Sequence, residues 1–309
     1  MDIPAIEASL GLWDETRSGH ARLVNLSENH TFRVDAPAGR FMLRVHRPGY
    51  QSAAAIESEL AWLGALQGAL PVPRPLAGLH GRLLQSLPTG HHVVLFAAEP
   101  GIEPPEDGDL APLFEVLGRY AARLHDHAQS WNRPASFTRQ AWTAASILDP
   151  AGLWGDWRGA PGAEAVLAPL TALDRQLRQR LQAYGMSADR YGLIHADMRL
   201  ANLLVDGDHV TLIDFDDCGF CWFLYDLAAS LSFVETRRDL RTLIDAWVAG
   251  YTPVRPLTSE DLAMIEPMIL LRRMALLAWI GSHGETDLAK EHAPRFAADT
   301  VALAARLLP

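Results

Sequence analysis

The most informative stretch of this chain is residues 194–217, which read IHADMRLANLLVDGDHVTLIDFDD. Their second half holds two apolar runs, residues 201–205 and 209–215, joined by the turn Asp206-Gly207-Asp208, which predicts a β-hairpin. Asp197 and Asn202 stand in the loop that leads into this hairpin, and Asp214 stands near its end. Because the two ends of a hairpin are neighbours, we expect these three oxygen-bearing side chains to converge.

Converging carboxylate and amide oxygens suit one type of chemistry. Phosphoryl transfer needs a base beside the attacking hydroxyl and ligands that hold Mg²⁺ on the phosphate oxygens. Asn and Asp supply the oxygen ligands that Mg²⁺ prefers. A single Asp or Asn in a turn usually only caps local backbone. The three residues together, in this order and on one hairpin, are much harder to obtain by chance.

The composition limits the class of protein. The chain has 309 residues, of which 49% are hydrophobic and 21% charged, so it can form one large globular unit or two modest domains. The net charge of −10 gives no general basic face, so nucleic acid is not an expected partner. The sequence leaves the oligomeric state open.

No membrane association is expected either. The beginning of the sequence lacks a basic segment followed by an apolar run, so no secretory signal is predicted. The apolar residues 263–281 are interrupted by Glu266, Pro267, Arg272 and Arg273, which indicates a buried core helix. Only two cysteines occur, Cys218 and Cys221, which favours a reducing, cytoplasmic location. Their spacing alone is poor support for a redox or zinc pair.

The secondary-structure pattern changes at about residue 99 and predicts an α+β protein. Residues 1–99 read as an antiparallel sheet with one helix: strands at 20–26, 30–35 and 40–47, a helix at 53–67, and a strand ending at Phe96. Residues 100–309 read as mainly helical, at 110–128, 163–184, 240–251, 259–280 and 286–307, with the hairpin as the one clear strand pair.

The motif residues follow one pattern: His195-x-Asp197, four further residues, Asn202, and then Ile213-Asp214-Phe215-Asp216. This pattern resembles that of the aminoglycoside phosphotransferase and choline kinase family, relatives of the eukaryotic protein kinases. The resemblance covers roughly residues 20–283 and includes residues 27–34, 117–125 and 225–228. It implies a two-lobed protein-kinase-like fold, with a β-rich N-lobe, a mainly helical C-lobe and ATP between them.

The resemblance also implies roles for the residues of the motif. Asp197 is expected to be the catalytic base, and Asn202 and Asp214 the Mg²⁺ ligands. His195 and Asp226 are expected to support the loop, Asp226 by accepting hydrogen bonds from its backbone. Asp216 is open between a further metal ligand and an exposed acid.

On the nucleotide side, Arg44 stands where the family usually has a lysine. At 100° per residue the helix 53–67 has one apolar arc, and Glu59 falls inside it whereas Glu57 lies outside. A carboxylate on a buried face needs a cation, so Glu59 is expected to pair with Arg44. The nucleotide loop has no glycine between Leu26 and Arg33, so a glycine-rich cradle is absent. The resemblance implies a shorter loop in which backbone groups of Ser27, Glu28 and Asn29 cover the phosphates, with a plain hairpin turn as the alternative.

The remaining expectations concern the residues that contact adenine and the phosphate acceptor. Adenine is expected to meet backbone groups near Phe96 and Ala98, and Trp279 and His283 are candidates to touch the acceptor. Trp142, Trp154 and Trp157 either line a pocket or pack. The expected acceptor is a small-molecule hydroxyl on an amino alcohol, amino acid or aminoglycoside-like compound. The alternatives are a protein Ser/Thr kinase similar to bacterial stress-response kinases, and a catalytically weak nucleotide-binding regulatory module, which the Arg44 replacement suggests.

Overall fold

The structure, a computed structural model, describes residues 3–26 and 29–308. The chain forms two compact units, which we name by their content. The sheet unit comprises the described residues of Met1–Ile102 together with Trp131–Arg139 and Leu204–Asp216. The helical unit comprises Glu103–Ser130, Gln140–Leu203 and the described residues of Asp217–Pro309.

The sheet unit is built on an antiparallel sheet with the strand order β1-β2-β3-β6-β4, and β5 pairs with β6. Its elements are α1 (Ile3–Ser9), β1 (His20–Leu26), β2 (Asn29–Ala36), β3 (Gly39–His46), α2 (Ala53–Leu66), β4 (Pro75–Leu76), β5 (Gln85–Ser86) and β6 (His92–Ala97). Strand alternation sends Leu43 and Val45 into an apolar core, so Arg44 between them points to the opposite face.

Helix α2 begins where the sequence provides a cap, because the Ser52 side chain accepts a hydrogen bond from the Ala55 amide. Its apolar arc is buried, and Glu59 is fully buried within it. The second segment of this unit, Trp131–Arg139, is tied to α2 by hydrogen bonds from the Thr138 amide to Ser58 Oγ (2.9 Å) and from the Arg139 guanidinium to the Ala55 carbonyl (3.1 Å).

The helical unit surrounds one buried helix, α9. Its elements are α3 (Ala111–Ser130), α4 (Ala144–Leu148), α5 (Leu167–Tyr184), β7 (Tyr191–Ile194), β10 (Gly219–Trp222), α6 (Tyr225–Ser230), α7 (Leu240–Tyr251), α8 (Ser259–Leu262), α9 (Ile265–Ser282), α10 (Asp287–His292) and α11 (Phe296–Leu307). The hairpin strands, β8 (Leu203–Asp206) and β9 (His209–Leu212), belong to the sheet unit except for Leu203. Nearly every side chain of α9 is buried, as predicted for a core helix. Within the described residues, no helix has the length and apolar character needed to cross a membrane.

Helices α3 and α7 approach each other through two glycines. A Cβ added to Gly118 would lie 1.9 Å from the Trp247 carbonyl oxygen, and one added to Gly250 would lie 1.9 Å from the Glu115 carbonyl oxygen. Both distances are far below van der Waals contact, so only glycine allows this approach of the two backbones.

The predicted α+β class is confirmed, but several element boundaries are wrong. The predicted helix 259–280 is two helices, α8 and α9, because Pro267 lies in the first turn of α9, where the missing amide costs no hydrogen bond. The predicted helix 286–307 likewise divides into α10 and α11 around Pro294. The predicted helix 163–184 begins with a separate 3₁₀ turn, Glu164–Val166, before α5.

The sequence analysis also missed a strand pair. β7 and β10 pair antiparallel, with Ile194 opposite Gly219 and Gly192 opposite Cys221. Both cysteines lie at or in this pair as buried thiols that form no disulfide. Burial raises the pKa of the Cys221 thiol well above its usual value, so this sulfur packs as a small apolar group.

Candidate active site

The loop after β7 has a constrained backbone. Ala196 adopts φ +69°, a region that residues with a side chain rarely enter. The buried Asp226 carboxylate accepts hydrogen bonds from the amides of Ala196 (2.7 Å) and His195 (3.2 Å). His125 Nε2 lies 3.0 Å from the same carboxylate, and its Nδ1 lies 3.0 Å from the Tyr251 hydroxyl. Asp226 therefore makes the loop contacts predicted from the sequence, and His125 adds a support that was not predicted.

Both carboxylate oxygens of Asp197 are engaged. Oδ2 accepts from Asn202 Nδ2 at 2.6 Å and from Arg199 Nε at 3.3 Å, and Oδ1 accepts from Arg272 Nη2. Burial by itself raises the pKa of Asp197, but the positive charges of Arg272 and Arg199 outweigh it and hold this pKa below its usual value. The carboxylate is therefore ionised at neutral pH. His195 is buried and its Nδ1 accepts from the Asp197 amide at 3.2 Å, in keeping with a structural role.

The contacts of Asn202 fix which end of its side chain is available to a cation. Its Nδ2 donates to both the main-chain carbonyl (2.8 Å) and the carboxylate (2.6 Å) of Asp197. The amide nitrogen is thereby turned towards Asp197. The oxygen Oδ1 is the end that points away from Asp197, and oxygen is the ligand atom that Mg²⁺ prefers.

In the sheet unit, Arg44 and Glu59 form the predicted pair, with 2.7 Å between Nη1 and Oε1. Arg44 is 9% exposed, and the central carbon of its guanidinium lies 5.1 Å from the centroid of the Phe96 ring. Burial by itself lowers the pKa of Arg44, but Glu59 and the nearby aspartates raise it above its ordinary value. This arginine is therefore a permanent cation in the position that the resemblance assigns to the nucleotide grip.

The two aspartates that follow β9 differ in environment. Asp214 has φ +61°, its side chain is 46% exposed, and its Oδ1 lies 3.8 Å from Arg44 Nη2. Asp216 is buried: Oδ2 accepts from Asn29 Nδ2 at 2.9 Å, Oδ1 lies 3.7 Å from Arg44 Nη1, and the main-chain carbonyl accepts from Arg139. The interpretation of Asp216 as an exposed acid is therefore wrong.

The other residues predicted to contact the nucleotide differ in where they lie and in whether the structure describes them. Ser27 and Glu28 lie outside the described residues. The Asn29 side chain is buried, and its Oδ1 also accepts from the Arg47 amide at 3.3 Å. Phe96 lies in β6, and the Ala98 amide donates to the Arg40 carbonyl at 3.3 Å.

Among the acceptor candidates, Trp279 and His283 are nearly buried and stack on each other at the end of α9, with 5.2 Å between ring centroids. Trp142 and Trp154 meet edge to face with 4.8 Å between centroids, and Trp157 donates to the Asp174 carboxylate at 3.1 Å. The three tryptophans thus pack against neighbouring side chains, which was one of the two alternatives predicted for them. Arg272 and Arg139 were not predicted from the sequence as site residues, because an isolated arginine belongs to no motif.

This fold and this loop define a kinase-like phosphotransferase. The family model described as "Phosphotransferase enzyme family" matches residues 21–260, and the chain belongs to this family. Among solved structures, that of a microcompartment-associated aminopropanol kinase is 41% identical, with a TM-score of 0.91 over 99% of this chain and 98% of that one. An amicoumacin kinase solved with AMP-PNP and Ca²⁺ shares the fold, with a TM-score of 0.76, 21% identity, and coverage of 97% and 92% of the two chains.

Curated relatives are more distant. Amicoumacin kinase of Bacillus subtilis is 28% identical over 212 residues, which span 66% of this chain and 60% of that protein. Stress response kinase A of Salmonella typhi is 27% identical over 261 residues, 83% of this chain and 76% of that one. The predictions of family, of a kinase-like fold and of the enzyme class are confirmed by these matches. The alternative of a weak regulatory module finds no support among them.

Proposed function

We propose that this chain is a kinase that uses ATP and a divalent cation, preferably Mg²⁺, to phosphorylate the hydroxyl group of a small amino alcohol. The proposal is carried by the ionised, doubly held Asp197 carboxylate in a chain of this family. The acceptor class is supported by the relative named as an aminopropanol kinase, which matches over nearly the full length of both chains.

Asp197 is proposed as the base. Its carboxylate orients the acceptor hydroxyl and takes its proton as the new oxygen–phosphorus bond forms. ATP, when bound with its cation, supplies the electrophilic γ-phosphorus and the leaving group. The protein's task is then positioning, and the Asp226 and Asn202 contacts perform it by fixing the backbone and the side chain of this loop.

Asn202 and Asp214 are proposed as the cation ligands. The donor set fits, because Asn202 offers an amide oxygen and Asp214 a half-exposed carboxylate. Among the described residues, no group of three or more His, Cys, Asp and Glu side chains is arranged to hold a metal. In nucleotide sites Mg²⁺ usually takes its remaining ligands from phosphate oxygens and water.

The nucleotide is proposed to be held by residues of the sheet unit. Arg44, fixed by Glu59, contacts the phosphates with a planar set of donors, which suits phosphate oxygens. Backbone groups of Ser27, Glu28 and Asn29 cover the phosphates, and the Phe96–Ala98 backbone meets adenine. The division into a nucleotide-binding lobe of residues 1–99 and a catalytic lobe of residues 100–309 stays a prediction.

Three further points belong to the proposal. Trp279 and His283 stay candidates for contact with the acceptor. A protein acceptor is the rival interpretation, since a relative from Salmonella typhimurium that is 27% identical is named as a serine/threonine protein kinase. We propose a cytoplasmic location because the sequence has only two cysteines and they form no disulfide.

A screen that couples ADP release to an optical signal tests the proposal. Purified protein with Mg-ATP is offered aminopropanol, ethanolamine, threonine, an aminoglycoside and a generic protein substrate, with Asp197→Ala as the matched control. We expect turnover with the amino alcohols by the wild type and its loss in the variant. Phosphate transfer to the protein substrate alone would establish the rival, and equal turnover by the variant would remove Asp197 from the mechanism.

A further inference from the structure

Arg272 projects from α9 to the loop that carries Asp197. It is 1% exposed, and each of its three guanidinium nitrogens donates a hydrogen bond. Nε donates to Ser232 Oγ at 3.0 Å, Nη1 to the Ala196 carbonyl at 3.3 Å, and Nη2 to Asp197 Oδ1. Two of these acceptors are the carbonyl of Ala196, whose backbone is left-handed, and the carboxylate of Asp197, the next residue. The arginine therefore fixes the backbone and the side chain of the loop together.

Aromatic rings hold the guanidinium itself. Its central carbon lies 5.2 Å from the centroid of the Trp154 ring and 5.8 Å from that of Tyr225, distances at which a cation is attracted to a ring. Trp142 packs against both rings, with centroid distances of 4.8 and 6.3 Å. The tryptophans between α3 and α5 thus support a cation beside the proposed base.

We propose that Arg272 is a positioning residue for phosphoryl transfer, which holds the Asp197 carboxylate in one orientation and places a buried positive charge beside it. The inference rests on the proposed role of Asp197. Oδ2 is held by Asn202 and Arg199, so the contact of Arg272 with Oδ1 prevents the carboxylate from rotating.

The charge has its own effect. An ionised carboxylate repels the anionic phosphates that must come close to it. A guanidinium that is permanently charged and shielded from water reduces this repulsion, because a buried charge is weakly screened. Both effects act on the transfer step more than on the binding of ATP.

The next residue of α9 provides a matched control. Arg273 is 2% exposed, and its contacts are the Glu235 carboxylate at 3.2 Å, Thr300 Oγ1 at 3.1 Å and the Phe296 carbonyl at 3.1 Å. It is as buried and as well paired as Arg272 but has no hydrogen bond to the Asp197 loop. Loss of either arginine removes a buried ion pair, so both variants are expected to lower the melting temperature.

The experiment compares Arg272→Ala, Arg272→Lys, Arg273→Ala, Arg273→Lys and Asp197→Ala. For each variant, kcat, the KM for ATP and the KM for aminopropanol are measured in the transfer reaction. The rate constant and the KM for ATP are also measured in the slow hydrolysis of ATP, in which water is the acceptor. We expect Arg272→Ala to lower kcat about 10²-fold with the KM for ATP changed less than about threefold. Arg272→Lys is expected to lie about tenfold below wild type, because one ammonium cannot reproduce the planar set of donors.

The outcomes separate the inference from the proposed function. The Arg273 variants are expected to keep kcat within about threefold of wild type wherever they fold. If Arg272→Ala does not fold, Arg272→Lys decides. Wild-type kcat in Arg272→Lys, or an equal loss of kcat in the Arg273 variants, overturns the positioning role. Normal turnover in Asp197→Ala instead overturns the proposed function, whatever the arginines do.

Discussion

The Asp197 carboxylate is held by three neighbouring side chains. Two arginines and an asparagine donate to its carboxylate, and the preceding residue, Ala196, holds a strained backbone conformation. Strain of this kind persists only where neighbouring groups stabilise it, and it is common in active sites. The Asp226 carboxylate supplies that stabilisation by capping two consecutive amides.

Replacement of Asp197 by asparagine tests the role of its charge at nearly constant shape. We expect Asp197→Asn to lower kcat by about 10²-fold or more, the usual scale for loss of a general base, while the affinity for Mg-ATP is nearly retained. Steady-state kinetics and calorimetric titration of Mg-AMP-PNP measure the two quantities. Near-normal turnover contradicts the assignment.

Asp214 combines a left-handed backbone with a half-exposed carboxylate, which suits a ligand for an external cation. We expect Asp214→Ala to abolish Mg²⁺-dependent ATP binding while the protein stays folded. Asp208→Ala, in the turn of the same hairpin, is the matched control and should bind normally. Unchanged Mg-ATP affinity in Asp214→Ala, measured by calorimetry, removes Asp214 from the set of ligands.

The Arg44–Glu59 pair predicts coupled behaviour. Truncating one partner of a buried ion pair leaves the other charge uncompensated, which typically costs about 3–5 kcal/mol. Arg44→Ala and Glu59→Ala should each weaken the use of Mg-ATP, and the double variant should lose much less than the sum of the two. A double-mutant cycle on KM for ATP and on unfolding free energy measures this coupling. Additive losses would show that the two side chains act independently.

At the scale of elements, the contact of α3 with α7 depends on two glycines. Because an added Cβ at Gly250 meets backbone at 1.9 Å, Gly250→Ala must move one helix, and we expect a loss of about 1–3 kcal/mol or more. Gly64→Ala in α2 is the control, since nothing lies within 4 Å of its added Cβ. It should stabilise by about 0.5–1 kcal/mol, as alanine does in a helix. Urea unfolding compares the two, and equal effects would contradict the close-contact explanation.

The elements that the sequence predicts well are those with a strong local signal. Helix α2 and strands β2 and β3 lie within a residue or so of their predicted bounds, because a serine cap, a regular apolar pattern and a turn mark their ends. The hairpin β8–β9 also forms, though each strand is shorter than predicted. Helix α2 and strands β2 and β3 carry Glu59, Asn29 and Arg44, and Asn202 and Asp214 lie close to the ends of the hairpin strands. A strong local pattern therefore marks these site residues without a structure.

What the sequence does not show depends on long-range contacts. β7 and β10 are each four residues long and pair across more than twenty residues of chain, so neither has a pattern of its own. Arg272 reaches Asp197 from 75 residues away, and Asn29 meets Asp216 from 187 residues away. A charged residue inside an apolar helix indicates only that a partner exists, not which one.

At the scale of the whole molecule, buried histidines make stability depend on pH. Burial lowers the pKa of His46 to about 2, and burial also lowers the pKa of His125, although its contact with Asp226 opposes this. Both are neutral in the folded state near neutral pH. The unfolded chain takes up protons at these histidines below about pH 6.5, so their effect is to reduce stability as the pH falls through that value.

We therefore expect the free energy of unfolding of the wild type to fall more steeply than that of His46→Leu between about pH 6.5 and pH 5. One histidine that is protonated only when unfolded contributes a slope of about 1.4 kcal/mol per pH unit well below its unfolded pKa. Urea unfolding of both proteins at several pH values gives the difference. Parallel curves would show that His46 takes up a proton in the folded state as well.

The arginine at position 44 also decides how the protein can be labelled. Lys290, which is exposed in α10, is the single lysine of the sequence. Acylating ATP analogues that modify an amine beside the bound nucleotide have no such amine to modify at Arg44, because a guanidinium does not react with them. Ordinary amine-directed dyes should instead attach at Lys290 and the α-amino group. A fluorophore can thus be placed on α10 while the cation paired with Glu59 stays unmodified.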